Sequence, residues 1–201
     1  MADAGAAAGD NRMATGTAGA GEADGIGGEA SASGAGLERY VHPRTRLFRS
    51  DEAAPGVHWA QHQEVGQLVG HFRRLYDLLF IYVRRGVVEV SFGDGVTVRC
   101  GAGQMMLVPS HLSHRIAVPE PEGASLTGVH FDFYGEFDFR TDQLFIVKEP
   151  DPDVSRFCSL PANEGGEWLF PRRPFPAPQS VPTLMDAIVE SFGARKEGFE
   201  L

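Results

Sequence analysis

Two histidines, His111 and His114, stand three residues apart just after an apolar run, Met105 to Val108, that is closed by Pro109. A third, His130, lies in a later apolar-polar alternation and shares one face there with Asp132 and Tyr134. His71 completes the histidines of the part of the chain read as its body. Imidazole changes charge near neutral pH and also serves as a hydrogen-bond donor, an acceptor or a metal ligand. Three imidazoles with an open position would hold a catalytic zinc or iron. The same residues would equally well form a metal-free polar pocket. Arg74, ahead of a strongly apolar segment, offers a fixed fork of donors for a carboxylate or sugar hydroxyls, or a partner for Asp77. No serine sits in a nucleophile-elbow context, Cys100 has no evident base beside it, and no glycine-rich loop opens a helix as a phosphate cradle would.

The elements that must position these groups read as strands. Leu78 to Val83 is apolar, β-branched and aromatic, the pattern of a central strand. Val88, Val90 and Phe92 alternate with more polar neighbours, which is period two and a half-buried strand. Gly93-Asp94-Gly95 suits a tight hairpin turn, and Val96 and Val98 follow it with the same alternation. Gly101-Ala102-Gly103 turns the chain into Met105–Val108, a run predicted to be buried on both faces. Pro109 removes a ladder donor, so the strand ends there and His111 and His114 fall on a turn. Ile116 and Val118 mark another strand, and Val129, Phe131 and Phe133 one more. Val57 to Ala60 and Leu144 to Val147 are shorter strand candidates. Short strands with turn signals between them imply a mainly β fold, an antiparallel barrel or double-sheet jelly roll.

The flanks differ from this body. Residues 1–36 are mostly Gly and Ala and are expected to form a disordered tail. The barrel is expected over 37–160 and a Pro-rich linker with a helix over 161–201. In that last region Leu184, Ile188, Val189 and Phe192 fall on one helical face, with Thr183 as N-cap and Gly193 at the end. A helix this short needs another surface to stabilise it.

Totals narrow the function classes. Lys+Arg 18 against Asp+Glu 27 gives a net charge of −9, which disfavours nucleic-acid binding by the residues present. Two cysteines, Cys100 and Cys158, make no disulfide framework and point to reduced thiols in a cytoplasm. The first residues lack a signal peptide's basic and apolar regions, and no apolar run approaches the roughly 20 residues of a membrane span.

Gly103, Pro109, His111 and His114 together resemble the second cupin motif, with His111 where the motif has Gly. The first cupin motif has no counterpart here, so only His114 would carry over as a metal ligand. The longer order RLYDLLFIYVRRG, then GVTVRCGAGQMMLVPSHLSH, then GVHFDFYG resembles the N-terminal effector-binding and dimerisation domain of AraC-family transcriptional regulators, over about residues 68–135. That resemblance implies a metal-free cupin barrel that takes a small effector, often a sugar, with no cofactor and no catalysis. It implies a homodimer paired through Leu184, Ile188, Val189 and Phe192. It implies that DNA is reached only through a C-terminal helix-turn-helix domain absent from this chain. His114 matches a pocket histidine of the arabinose-responsive member. Leu126 and Gly128 replace that member's His and its stacking Trp, which leaves the effector open. The expected ligand-binding residues are Arg74, His111, His114, His130, Asp132 and Tyr134. The alternative from another class is a small metal-dependent cupin enzyme, an isomerase or dioxygenase using His111, His114 and His130. A third expectation is a stand-alone dimer that pairs with full-length relatives.

Overall fold

Strand-forming residues dominate the chain because they alternate, and the alternation finds two sheets to bury into. The computed structural model describes residues 42–137, 145–170 and 172–198, with 195–198 described by backbone alone. The expected tail over 1–36 lies outside the described residues.

The elements in order are β1 (Thr45–Leu47), β2 (Gly56–Val65), β3 (Leu68–Val69), β4 (Leu78–Arg85), β5 (Val87–Phe92), β6 (Thr97–Gly101), β7 (Gln104–Val108), β8 (His114–Val118), β9 (Ala124–Asp132), β10 (Leu160–Ala162), β11 (Phe175–Pro176) and α1 (Val181–Gly198). One antiparallel sheet has the order β11-β7-β4-β9-β2, and a second has β3-β8-β5-β6. A short parallel pair joins β1 to β10. The fold is thus mainly β, two antiparallel sheets with a C-terminal helix.

The shared core lies between the two large sheets. Leu79, Ile81 and Val83 of β4, Met106 and Val108 of β7 and Leu126 of β9 meet Val88, Val90 and Phe92 of β5, Cys100 of β6 and Val118 of β8. The predicted alternation of β5 holds, with Val88, Val90 and Phe92 buried. The run in β7 is buried on both faces, since Met106 and Val108 enter this core while Leu107 packs on the other side with Leu78, Cys158 and Leu160. Gly95 and Gly103 turn the chain with positive φ, 88° and 75°. Those angles cost glycine little and a β-branched residue much. Gly101-Ala102-Gly103 carries the chain from one sheet to the other, as its turn composition requires.

Four elements differ from expectation. β2 runs well past Ala60, and β9 begins at Ala124, because the two pair over their whole length from Gly56↔Asp132 to Val65↔Ala124. Of the Leu144–Val147 candidate, Leu144 lies outside the described residues and Ile146 makes an isolated bridge to Leu75. The Pro-rich stretch is partly structured, since β11 adds an edge to the sheet through Phe175↔Met105.

The helix also differs. It starts earlier than Thr183 and continues through Gly193 to Gly198. The Ser180 carbonyl accepts from the Leu184 amide, so Thr183 already lies inside the first turn and is not the N-cap. A mid-helix Gly costs roughly 1 kcal/mol relative to Ala. Docking outweighs that cost, because Val181, Met185, Ile188, Val189 and Phe192 pack on Ala60, Tyr82 and Val129 of the chain's own sheet.

Candidate functional site

The inward face of the barrel is apolar at one end and polar at the other. Parity along β9 explains this. Ala124 and Leu126 belong to the core, so Gly128, His130 and Asp132 face the same way, while Val129 faces helix α1. The face shared by His130 and Asp132 therefore lines the barrel, and both residues are buried.

His114 opens β8 rather than sitting on the preceding turn, because it pairs with Phe92 in β5 and bridges Arg73 on its other side. Its side chain has 0% exposure. Its Nδ1 donates to the Leu112 carbonyl at 3.0 Å. A carbonyl only accepts, so Nδ1 carries the proton and Nε2 presents a lone pair. That Nε2 is buried and has no hydrogen-bond partner among the described residues. Burial holds the His114 pKa down to about 4, against the Leu112 hydrogen bond and with smaller contributions from Arg73 and His130. The ring is therefore neutral at physiological pH.

Arg73, not Arg74, shares this interior. In the bridge Arg73↔His114 the two backbones exchange hydrogen bonds at 2.8 and 2.9 Å. Directly opposed residues in an antiparallel pair project to the same side. Arg73 is half-buried and makes no ion pair among the described residues, and burial lowers its pKa. Arg74 points the other way and donates to the Pro150 carbonyl at 3.2 Å. The expected Arg74–Asp77 pair does not form, since Asp77 is occupied elsewhere.

Asp77 joins two imidazoles that the sequence keeps far apart. His130 Nδ1 donates to its Oδ1 at 3.0 Å, and His58 Nδ1 donates to its Oδ2 at 3.0 Å. His58 Nε2 donates in turn to Asp132 Oδ2 at 2.9 Å. Carboxylates accept, so both His58 nitrogens carry protons and the ring is a cation between two anions. Burial opposes that charge, but the hydrogen bonds the ring donates to Asp132 and Asp77 outweigh it and raise the His58 pKa. Asp132 also receives the amides of Tyr134 and Glu136 at 2.8 and 3.1 Å. It thus ties the end of β9 to the following turn.

No sequence signal marks His58 beyond its place in a short strand. It reaches both carboxylates because the β2–β9 register shifts between Val57 and Trp59, which makes His58 the extra residue of a bulge. Bulges re-aim side chains and recur beside functional sites. The bulge also sets Trp59 opposite His130. The Trp59 ring stands edge-on to the His130 ring at 5.6 Å, and Phe145 stacks on His130 at 3.8 Å. A Cβ at Gly128 would come within 3.2 Å of Trp59 Cζ3. The absent side chain at Gly128 is what leaves room for the indole, so an aromatic surface reaches the interior from β2.

Besides Arg74, two expected site residues do not join this cluster. His111 packs edge-on to His42 at 5.9 Å and to Phe157 at 4.8 Å. It has φ 64°, alone among the described non-glycine residues in being positive. That is the conformation a glycine adopts readily, and its amide is held by the Leu75 carbonyl at 2.9 Å. Tyr134 lies beyond β9 under the Arg46 guanidinium, 4.5 Å from the ring centre. No group of three or more His, Cys, Asp or Glu is placed to hold a metal among the described residues.

Residues 70–134 match the AraC-like ligand binding domain. The matched AraC-like segment takes in Arg73, Asp77, His114, His130 and Asp132, whereas His58 and Trp59 precede it. No curated protein matches the chain. Solved structures similar to it include protein NMB1881 from Neisseria meningitidis, 26% identical over 38% of this chain and 81% of that one, with a TM-score of 0.32. A variant of oxalate decarboxylase from Bacillus subtilis is 21% identical over 40% of this chain and 22% of that one, TM-score 0.31. The EutQ protein of Clostridium difficile is 16% identical over 39% of this chain and 67% of that one, TM-score 0.32. Among the described residues no helix is long and apolar enough to cross a membrane.

Proposed function

We propose that this chain is the effector-sensing and dimerisation part of an AraC-type transcriptional regulator of the cytoplasm, and that it is not an enzyme. The polar end of the barrel takes a small polar, sugar-like molecule between His114, His130, Arg73 and Trp59. The observation that carries this reading is the buried His114 Nε2 with no partner among the described residues. An unsatisfied buried polar atom costs about 1–3 kcal/mol, which a ligand's hydrogen bond would recover. DNA is read by helix-turn-helix units outside this chain. Helix α1 transmits the bound state, because it packs on Val129 and Ala60, whose strands carry His130 and Trp59 on their opposite faces. Dimerisation uses the outer side of α1, where Leu184 is 57% exposed. Ile188, Val189 and Phe192 serve it indirectly, by fixing the helix to the barrel.

A binding screen of pentoses, hexoses and their oxidised or aminated derivatives by thermal shift and calorimetry tests this. At least one is expected to bind saturably, and His114→Ala is expected to weaken it tenfold or more. Binding left unchanged by His114→Ala, or no binder in the series, would overturn the site.

A further inference from the structure

The polar end of the barrel holds one cation, Arg73, that no carboxylate of the described residues meets directly. Arg73 and His114 are directly opposed across an antiparallel bridge and project to the same, inward side. Phe92, the partner of His114 in β5, confirms the side, since it is 1% exposed in the core between the sheets. The neighbouring positions face out, where the Arg115 guanidinium lies over the Phe72 ring at 5.2 Å. Arg73 is half-buried, yet no Asp or Glu among the described residues pairs with it. Both acidic groups of the interior are already engaged, Asp77 by two imidazoles and Asp132 by His58 and backbone amides. A partly desolvated guanidinium without a counter-charge is costly unless something else supplies one. Beside it, His114 Nε2 offers only a lone pair.

The two groups demand opposite things of one ligand. Arg73 has donors and no acceptor, and its planar fork matches a carboxylate. His114 Nε2 must accept, so the ligand must donate there. A second cation would be repelled by the guanidinium, which makes that donor a hydroxyl rather than an ammonium. The fork of one guanidinium fits one carboxylate, and the two carboxylates already in the interior, Asp77 and Asp132, disfavour the second negative charge of a phosphate dianion.

We propose that the effector is a hydroxylated carboxylic acid, such as a sugar acid or other hydroxy acid, whose carboxylate sits on Arg73 while a hydroxyl donates to His114 Nε2. This rests on the site proposed above and narrows its ligand from a neutral sugar to an anion.

The smallest probe with both groups is glycolate. Titrations of the full chain followed by the ring 15N and 1H resonances of His114 would compare glycolate, ethylene glycol and inorganic phosphate. Glycolate is expected to saturate in the millimolar range with a shift at His114 Nε2. Ethylene glycol and phosphate are expected to bind at least tenfold more weakly. Arg73→Met should weaken glycolate tenfold or more, and Arg73→Lys, which keeps the charge and loses the fork, should fall between. Equal binding of ethylene glycol, unaffected by Arg73→Met, would overturn the anion while leaving the His114 site standing. Tighter binding of phosphate would overturn the carboxylate. No response of the His114 ring to any probe would overturn both the anion and the site.

Discussion

Asp77 has 0% exposure, and it is held by two imidazoles at once. His58 is the link that makes this tolerable, because it places one positive charge between Asp77 and Asp132. Removing one partner of a buried charged pair leaves the other uncompensated, at a cost of about 3–5 kcal/mol. His58→Ala should therefore destabilise by that amount in urea unfolding. A loss under about 1 kcal/mol would show that the cation is not what holds the two carboxylates, since only ordinary surface substitutions are that mild. Arg73 and Arg74 make a related point. They are adjacent and chemically identical, yet one faces the barrel interior and the other the Pro150 carbonyl. Side chains alternate along extended backbone, so a difference of one position exchanges the two roles.

Helix α1 is amphipathic toward its own barrel. Met185 is 7% exposed and sits against Ala60, Tyr82 and Val129, whereas Leu184 on the adjacent position is largely exposed. Asp186 adds a polar tie to Arg84 of β4 and to His62 of β2, the latter at 3.2 Å. Half-exposed ion pairs contribute about 0–1 kcal/mol, so apolar packing does more than these ties to hold the helix. The two neighbouring residues should thus separate two functions. Met185→Ala should lower stability by about 2–5 kcal/mol, as for other core truncations to Ala. Leu184→Asp should leave the unfolding midpoint nearly unchanged and convert dimer to monomer in sedimentation velocity. Dimers that survive Leu184→Asp would remove the outer face of α1 from the dimerisation reading. β2 and β9 form the other element that matters. Their long pairing holds Trp59 and His130 on the inner face while the outer face carries the helix.

The whole molecule integrates its titrations. Burial is the first cause that holds His42 and His114 to a pKa of about 4, below the unfolded value near 6.5. Their contribution to stability is complete above pH 6.5 and is lost as the pH falls toward 4, because the unfolded chain takes up protons first. His58 has the opposite sign. Its raised pKa stabilises the fold below pH 6.5, and that part is lost as the pH climbs through the folded value. Stability should therefore be greatest near neutrality and fall on the acid side. His114→Gln should reduce the fall between pH 6.5 and 4 by on the order of 3 kcal/mol, measured by denaturant unfolding across that range. An equal fall in both proteins would show that His114 is not buried neutral.

Local pattern was enough to read the strands β4, β5, β6 and β7, their glycine turns, the mainly β class and the resemblance that the match over 70–134 supports. These rest on period-two alternation and on glycine's freedom at positive φ, both of which are carried by neighbours in the chain. It also placed His130 on one face of a strand with Asp132, whereas His114, expected on a turn, opens β8. Contacts between distant segments decided the rest. His58 bonds partners that stand 19 and 74 positions away, and the bulge that aims it exists only once β2 is paired with β9. Which of Arg73 and Arg74 faces inward depends on a bridge to β8, and the exclusion of His111 and Tyr134 depends on packing by His42, Phe157 and Arg46. Helix α1 passes Gly193 because the sheet beneath it offers more than the glycine costs. Residue types and spacing determined which strands form; only the pairing of those strands decided which polar groups share the interior.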